Sequence, residues 1–235
     1  MWFKIKTYLS FLLKSTNEHG VHSPFVFQLV TLCLYKKTSK TTIDLCNNFK
    51  KKNKKKAFNS KVTFIHAKKA FLLIRIVDYL KIESILELNT SYNLSTIALS
   101  IGNSNATIQT VADCEKTANI AKKMFEEFHL KNITVSSGKF EEIRKSLTLN
   151  KRYDLIYFNG NYQKEAILSN FNEFLNTVHN ESVFIFDAIY QNKEMLETWE
   201  EIKRHPLVTV TINTYFWKNV FFRKEQAKQH FTLRF

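Results

Sequence analysis

The run Ser84-Ile-Leu-Glu-Leu-Asn-Thr-Ser-Tyr-Asn-Leu-Ser-Thr-Ile-Ala-Leu-Ser-Ile-Gly-Asn-Ser-Asn-Ala-Thr-Ile-Gln-Thr-Val-Ala112 decides the fold. It opens on a short apolar run, Ser84–Leu88, that ends in turn residues. A helix-length segment, Leu94–Ile101, follows, and a β-branched run, Thr107–Val111, closes the unit. Strand, helix and strand at this pitch describe a parallel pair joined by a crossover helix. Outward from it the alternation continues. Strands are expected at Ile133–Ser136, Asp154–Phe158, Ser182–Phe186, Val208–Ile212 and Val220–Arg223, and helices at Glu115–Phe128, Phe140–Leu147, Lys164–Val178 and Lys193–Arg204. No helix separates the last two strands, so the parallel sheet should finish in an antiparallel hairpin. Residues 1–80 read as helices instead: Trp2–Leu13, Pro24–Tyr35 with Ser23 as its cap, and His66–Leu80. The expected organisation is therefore a helical segment, 1–80, packed on an α/β domain, 81–235.

The chain has 235 residues, of which 44% are apolar and 24% charged, which excludes a wholly disordered protein. At this length a core forms without disulfide or metal staples. Glycine occurs only 4 times. The net charge is +14, and it is concentrated: residues 36–69 hold twelve lysines against one acid, Asp44. Two readings stand for this stretch, and for its densest part, Lys50–Lys56. One is a docking patch for an anionic partner, nucleic acid or a membrane surface. The other is a solvated surface segment, since the run lacks the aromatic interleaving of single-strand binders. Three widely spaced cysteines, Cys33, Cys46 and Cys114, fit neither a disulfide framework nor a zinc site. With no secretory signal or membrane-length apolar run legible, the expected location is the cytoplasm.

In an open parallel sheet, ligands bind beyond the carboxyl ends of the strands. Those ends read Glu87-Leu-Asn-Thr-Ser-Tyr-Asn, Val111-Ala-Asp-Cys, Phe158-Asn-Gly-Asn-Tyr and Phe186-Asp-Ala-Ile-Tyr. Here the chain resembles the class I S-adenosylmethionine-dependent methyltransferases, in particular an O-methyltransferase-like group seen in Bacteroidota. The resemblance also covers Asn17-Glu-His-Gly-Val-His-Ser-Pro-Phe-Val-Phe, Tyr153-Asp-Leu-Ile-Tyr-Phe-Asn-Gly-Asn-Tyr-Gln-Lys-Glu and Thr214-Tyr-Phe-Trp-Lys-Asn-Val-Phe-Phe-Arg-Lys-Glu-Gln-Ala-Lys. It implies a Rossmann-like methyltransferase fold with a seven-stranded, mostly parallel sheet. It also implies a cofactor site at Glu87, Asn89, Thr90, Ser91, Asn93, Asp113 and Asn159.

Five positions depart from the family pattern, and with them S-adenosylmethionine binding is expected to be weak or lost. Asn89 and Asn93 stand where the loop after the first strand carries glycine, although asparagine tolerates the left-handed backbone well. Ala112 replaces the acid that accepts from the ribose hydroxyls, leaving Asp113, one residue on, as a substitute or as a solvated helix start. Asn159 and Ala188 stand where metal-dependent members have carboxylates, so one acid, Asp187, remains, and no metal is expected. Tyr162 replaces a histidine that is a candidate base, and with Asp187 it is the candidate for catalysis. His19 and His22 read as substrate contacts or as turn residues. The implied activity is O-methyl transfer to a small molecule. The alternative is a catalytically inactive methyltransferase-fold protein that binds through its basic N-terminal region.

Overall fold

The computed structural model describes residues 2–56, 67–90, 94–138, 140–160, 163–187 and 192–234. They form an α/β fold of eight mostly parallel strands, one strand more than the sequence leads one to expect. Two compact units are present, 28–142 and 1–27 with 143–235. No helix among the described residues is long and apolar enough to cross a membrane.

The first unit contains the end of helix α2 (Pro24–Leu29, continued by a π-turn over Val30–Leu34), α3 (Lys40–Lys56) and α4 (Ala67–Leu80). It continues with β1 (Ser84–Thr90), α5 (Leu94–Gly102), β2 (Thr107–Ala112), α6 (Glu115–Glu127) and β3 (Ile133–Ser137). Its strands run parallel in the order β3-β2-β1. The basic run Lys50–Lys56 is the C-terminal part of α3. The core is aliphatic: Leu73 and Val77 of α4, Ile85 and Leu86 of β1, and Ile97 and Leu99 of α5 are all buried. Gly102 lets α4 and α5 approach closely, because a Cβ there would lie 2.6 Å from Val77 Cβ. Glycine is scarce elsewhere, and other residues take its place at helix ends. Lys81 and His129 adopt left-handed backbones, φ 55° each, just past α4 and α6. The next amides, of Ile82 and Leu130, donate to the carbonyls of Val77 and Phe125. Both ends are thus Schellman caps built without glycine.

The second unit holds α1 (Trp2–Lys14), the start of α2, α7 (Phe140–Thr148), β4 (Leu155–Phe158), α8 (Lys164–Phe174), β5 (Val183–Asp187) and α9 (Lys193–Arg204). Strands β6 (Val210–Asn213), β7 (Trp217–Phe221) and β8 (Gln229–Thr232) complete it. Its strand order is β4-β5-β7-β6-β8, with β7 antiparallel to β5 and β6. The chain spends its 21 phenylalanines freely here. Phe158 and Phe186 stack at 4.2 Å on the paired strands β4 and β5, and Phe171, Phe174, Phe184 and Phe222 join them through ring contacts. Helix α9 matches its expected limits. Asn192 Oδ1 caps it by accepting from the Met195 amide at 2.9 Å, and Met195, Thr198, Trp199 and Ile202 form its buried stripe.

Two strand expectations need correction. The last hairpin strand is Trp217–Phe221, not Val220–Arg223, because Lys218 and Asn219 interrupt the apolar pattern yet lie buried inside the strand. The eighth strand, Gln229–Thr232, pairs parallel with β6 at the sheet's edge. Its residues, of mixed polarity and partly or fully exposed, carry no strand period.

Candidate functional site

Alternation along β1 sends Glu87 to the face opposite Leu86 and Leu88, and its side chain is wholly buried. A carboxylate in that position needs donors. Among the described residues three supply them: Ser95 Oγ donates to Oε1 at 2.6 Å, and Thr96 Oγ1 and Thr110 Oγ1 donate to Oε2, the latter at 2.8 Å. Thr110 is Glu87's cross-strand neighbour on β2, while Ser95 and Thr96 lie in the first turn of α5. One carboxylate therefore ties together β1, β2 and the start of the crossover helix. The residues that flank the loop after β1 also meet one another, Thr90 Oγ1 lying 3.2 Å from Thr96 Oγ1. Ser95, Thr96 and Thr110 escaped the sequence reading. The available signal was the Ser-Thr pair opening a helix just after a strand that carries an acid.

Asn89 sits between Leu88, which pairs with Val111, and Thr90, which pairs with Ala112, so it is the extra residue of a β-bulge. Its φ is 64°. The left-handed turn that glycine would supply is therefore made by asparagine, whose short polar side chain tolerates it. Ser91 and Asn93 lie outside the described residues.

Ala112 belongs to β2, paired with Thr90 and Ser137, and is fully buried. Asp113 is the first residue beyond the strand and is exposed. Desolvation raises its carboxyl above the ordinary aspartate value. Cys114 follows as the N-cap position of α6, and hydrogen bonding with the Thr117 side chain, first among the causes, lowers its thiol pKa.

In the other unit, Asn159 is the first residue past β4 and Asp187 the last of β5. These parallel strands pair Phe158 with Phe186, so the two side chains leave the sheet at neighbouring positions. Tyr157 Oη donates to Asp187 Oδ2 at 3.1 Å. Tyr162 and Ala188 lie outside the described residues. His19 and His22 are both exposed. His19 follows Asn17, whose Oδ1 accepts from the His19 amide and caps a short 3₁₀ turn, Glu18–Gly20. Gly20 is needed in that turn because a Cβ would fall 2.0 Å from Thr16 Oγ1.

Among the described residues, no cluster of three histidine, cysteine or acidic side chains is placed to hold a metal. A left-handed bulge at Asn89 and a carboxylate, Asp113, stand at the carboxyl ends of the paired strands β1 and β2.

The fold matches solved methyltransferase structures. An O-methyltransferase from Bacillus cereus, in complex with S-adenosylhomocysteine, is 19% identical, and the match covers 84% of this chain and 97% of that one at a TM-score of 0.62. The Podospora anserina methyltransferase PaMTH1, bound to S-adenosylhomocysteine, is 11% identical over 87% and 97% of the two chains, at 0.67. The O-methyltransferase TomG of Streptomyces achromogenes, in complex with S-adenosylmethionine, is 14% identical over 84% and 95%, at 0.61. No protein-family model and no curated protein matches the sequence. The likeness to class I O-methyltransferases is one of fold.

Proposed function

We propose that this chain is an S-adenosylmethionine-binding methyltransferase that acts without a metal ion on the oxygen of a small molecule. The observation that carries the reading is the loop after β1. Asn89 reproduces the backbone that glycine gives such a loop, and the Glu87 hydroxyl network ties together the residues that flank it. Fixing the residues on either side of the loop lowers the ordering cost of binding. Asp113 is the acceptor for ribose hydroxyls, because Ala112 has no polar side chain to offer. The cofactor supplies an electrophilic methyl group. Asp187, whose Oδ2 accepts from Tyr157 Oη, is a carboxylate able to take the proton of an acceptor hydroxyl.

The test is thermal unfolding with S-adenosylhomocysteine. At a hundred times its dissociation constant the ligand should add about 2.7 kcal/mol, a rise of roughly 5–10 °C for a chain of this size. Adenosine triphosphate should add much less. An equal or absent shift would overturn the reading.

A second reading, a methyltransferase fold kept for binding alone, is favoured by Ala112, fully buried where an acceptor would be expected. On that reading the lysine run of α3 engages an anionic partner, and binding falls steeply as salt rises.

A further inference from the structure

Helix α1 presents the wrong face to solvent. At about 100° per residue, positions 2, 5, 9 and 13 fall in one stripe some 80° wide. They are Trp2, Ile5, Leu9 and Leu13, and they are 78%, 45%, 55% and 89% exposed. The opposite face carries Thr7 and Phe11, which are buried. A surface helix ordinarily turns charged residues outward. Here the outward stripe is wholly apolar.

The helix is also firmly placed. Tyr215, in the turn between β6 and β7, packs against Tyr8 at 4.9 Å and Phe11 at 5.3 Å. Beside it Phe216 is 54% exposed, and its ring lies 6.0 Å from that of Tyr215. Positive charge flanks the apolar stripe: Trp2–Lys14 contains no acid, Lys6 is exposed and falls about 20° outside the stripe's edge, and Lys14, also exposed, follows Leu13 directly.

We infer that α1 is an interfacial anchor that seats the protein on an anionic lipid bilayer. A helix of 13 residues spans about 20 Å, too short to cross a membrane but long enough to lie in its surface. Leucine and isoleucine enter the acyl boundary, tryptophan takes the headgroup level, and the lysines meet lipid phosphates. A second copy of the chain is a poorer occupant. It would bring two lysine-flanked stripes, on chains of +14 each, against one another. An anionic bilayer supplies the opposite charge, and its fluid surface accommodates a convex helix.

Tryptophan emission tests this directly, because Trp199 and Trp217 are 4% and 1% exposed and leave Trp2 as the tryptophan that lipid can reach. Phosphatidylcholine vesicles with about 30 mol% phosphatidylserine should sediment the full-length protein and shift its emission to the blue. Pure phosphatidylcholine should bind at least about tenfold more weakly, and raising the salt to about 0.5 M should weaken the interaction. The emission shift should disappear in Trp2→Phe. The double variant Leu9→Gln/Leu13→Gln, altered only at exposed positions, should keep its melting temperature and lose binding by about tenfold or more. Any of three results overturns the proposal: no sedimentation with the anionic vesicles at low salt, equal sedimentation of the double variant, or an emission shift that survives Trp2→Phe. If the double variant instead dissociates a dimer that binds no lipid, the stripe belongs to a second copy.

Discussion

Glu87 and Thr110 stand opposite one another on β1 and β2, and the threonine hydroxyl donates to the buried carboxylate at 2.8 Å. Ser95 and Thr96 bring α5 to the same group. Glu87→Leu should therefore destabilise the fold by about 3 kcal/mol or more, because three buried hydroxyls lose a charged acceptor. Glu87→Gln, which keeps the shape and one acceptor oxygen, should cost less. Urea unfolding of the two variants checks the order. Equal stability of Glu87→Leu and the parent would show that the network holds nothing.

Cys114 gives a chemical probe beside Asp113. It is exposed, and hydrogen bonding to Thr117 lowers its pKa, whereas burial pushes Cys33 up to about 12 and Cys46 up to about 11. Iodoacetamide should label Cys114 first in the folded protein, since the thiolate is the reacting form. S-adenosylhomocysteine should slow that labelling if it rests against Asp113. Peptide mass spectrometry with and without the ligand reads the result, and labelling at an unchanged rate under saturating ligand would place the ligand elsewhere.

Lys218 makes stability depend on pH. It is buried within β7, with Nζ 5.3 Å from the Trp199 ring centre, and desolvation and then the charge of Lys203 lower its pKa well below the ordinary value, against the pull of Glu200. The unfolded chain holds this proton up to about pH 10.5, whereas the folded chain releases it earlier. Between those two values unfolding takes up a proton, so the Lys218 contribution to stability rises with pH. Lys218→Met should raise stability at pH 7 and flatten the rise toward pH 10. Urea midpoints across that range decide it, and a variant with the parent's slope would assign the titration to other groups.

Activity, once an acceptor is found, should persist in a chelator. Asn159 and Asp187 leave β4 and β5 side by side and present one carboxylate and one amide, a weak set for a magnesium ion that favours six hard oxygens. Loss of methyl transfer in EDTA, restored by magnesium, would contradict this.

The strand–helix alternation was legible because β1, β2, β4 and β5 are apolar runs bounded by turn residues, and their observed limits fall within two residues of those expected. Register at the antiparallel end was not, since Lys218 and Asn219 are buried by pairing with β5 and β6, a tertiary effect that no local period encodes. β8 is an edge strand of mixed polarity and left no pattern. The helix ends at Lys81 and His129 were hidden for another reason: their caps use residues that do not announce a left-handed turn. At the site, Asn89 was readable as a turn residue, whereas the hydroxyls on Glu87 come from three elements that only the fold brings together.

If, as proposed, the turn at Asn89 and the Asp113 carboxylate hold an adenosyl cofactor, binding depends on that carboxylate. Isothermal calorimetry with S-adenosylmethionine and S-adenosylhomocysteine, on the parent and on Asp113→Asn, measures it most directly. Saturable one-to-one binding that weakens about tenfold in Asp113→Asn is predicted, a tenfold loss corresponding to about 1.4 kcal/mol. No heat of binding from either ligand at millimolar concentration, with the protein folded, would contradict the account.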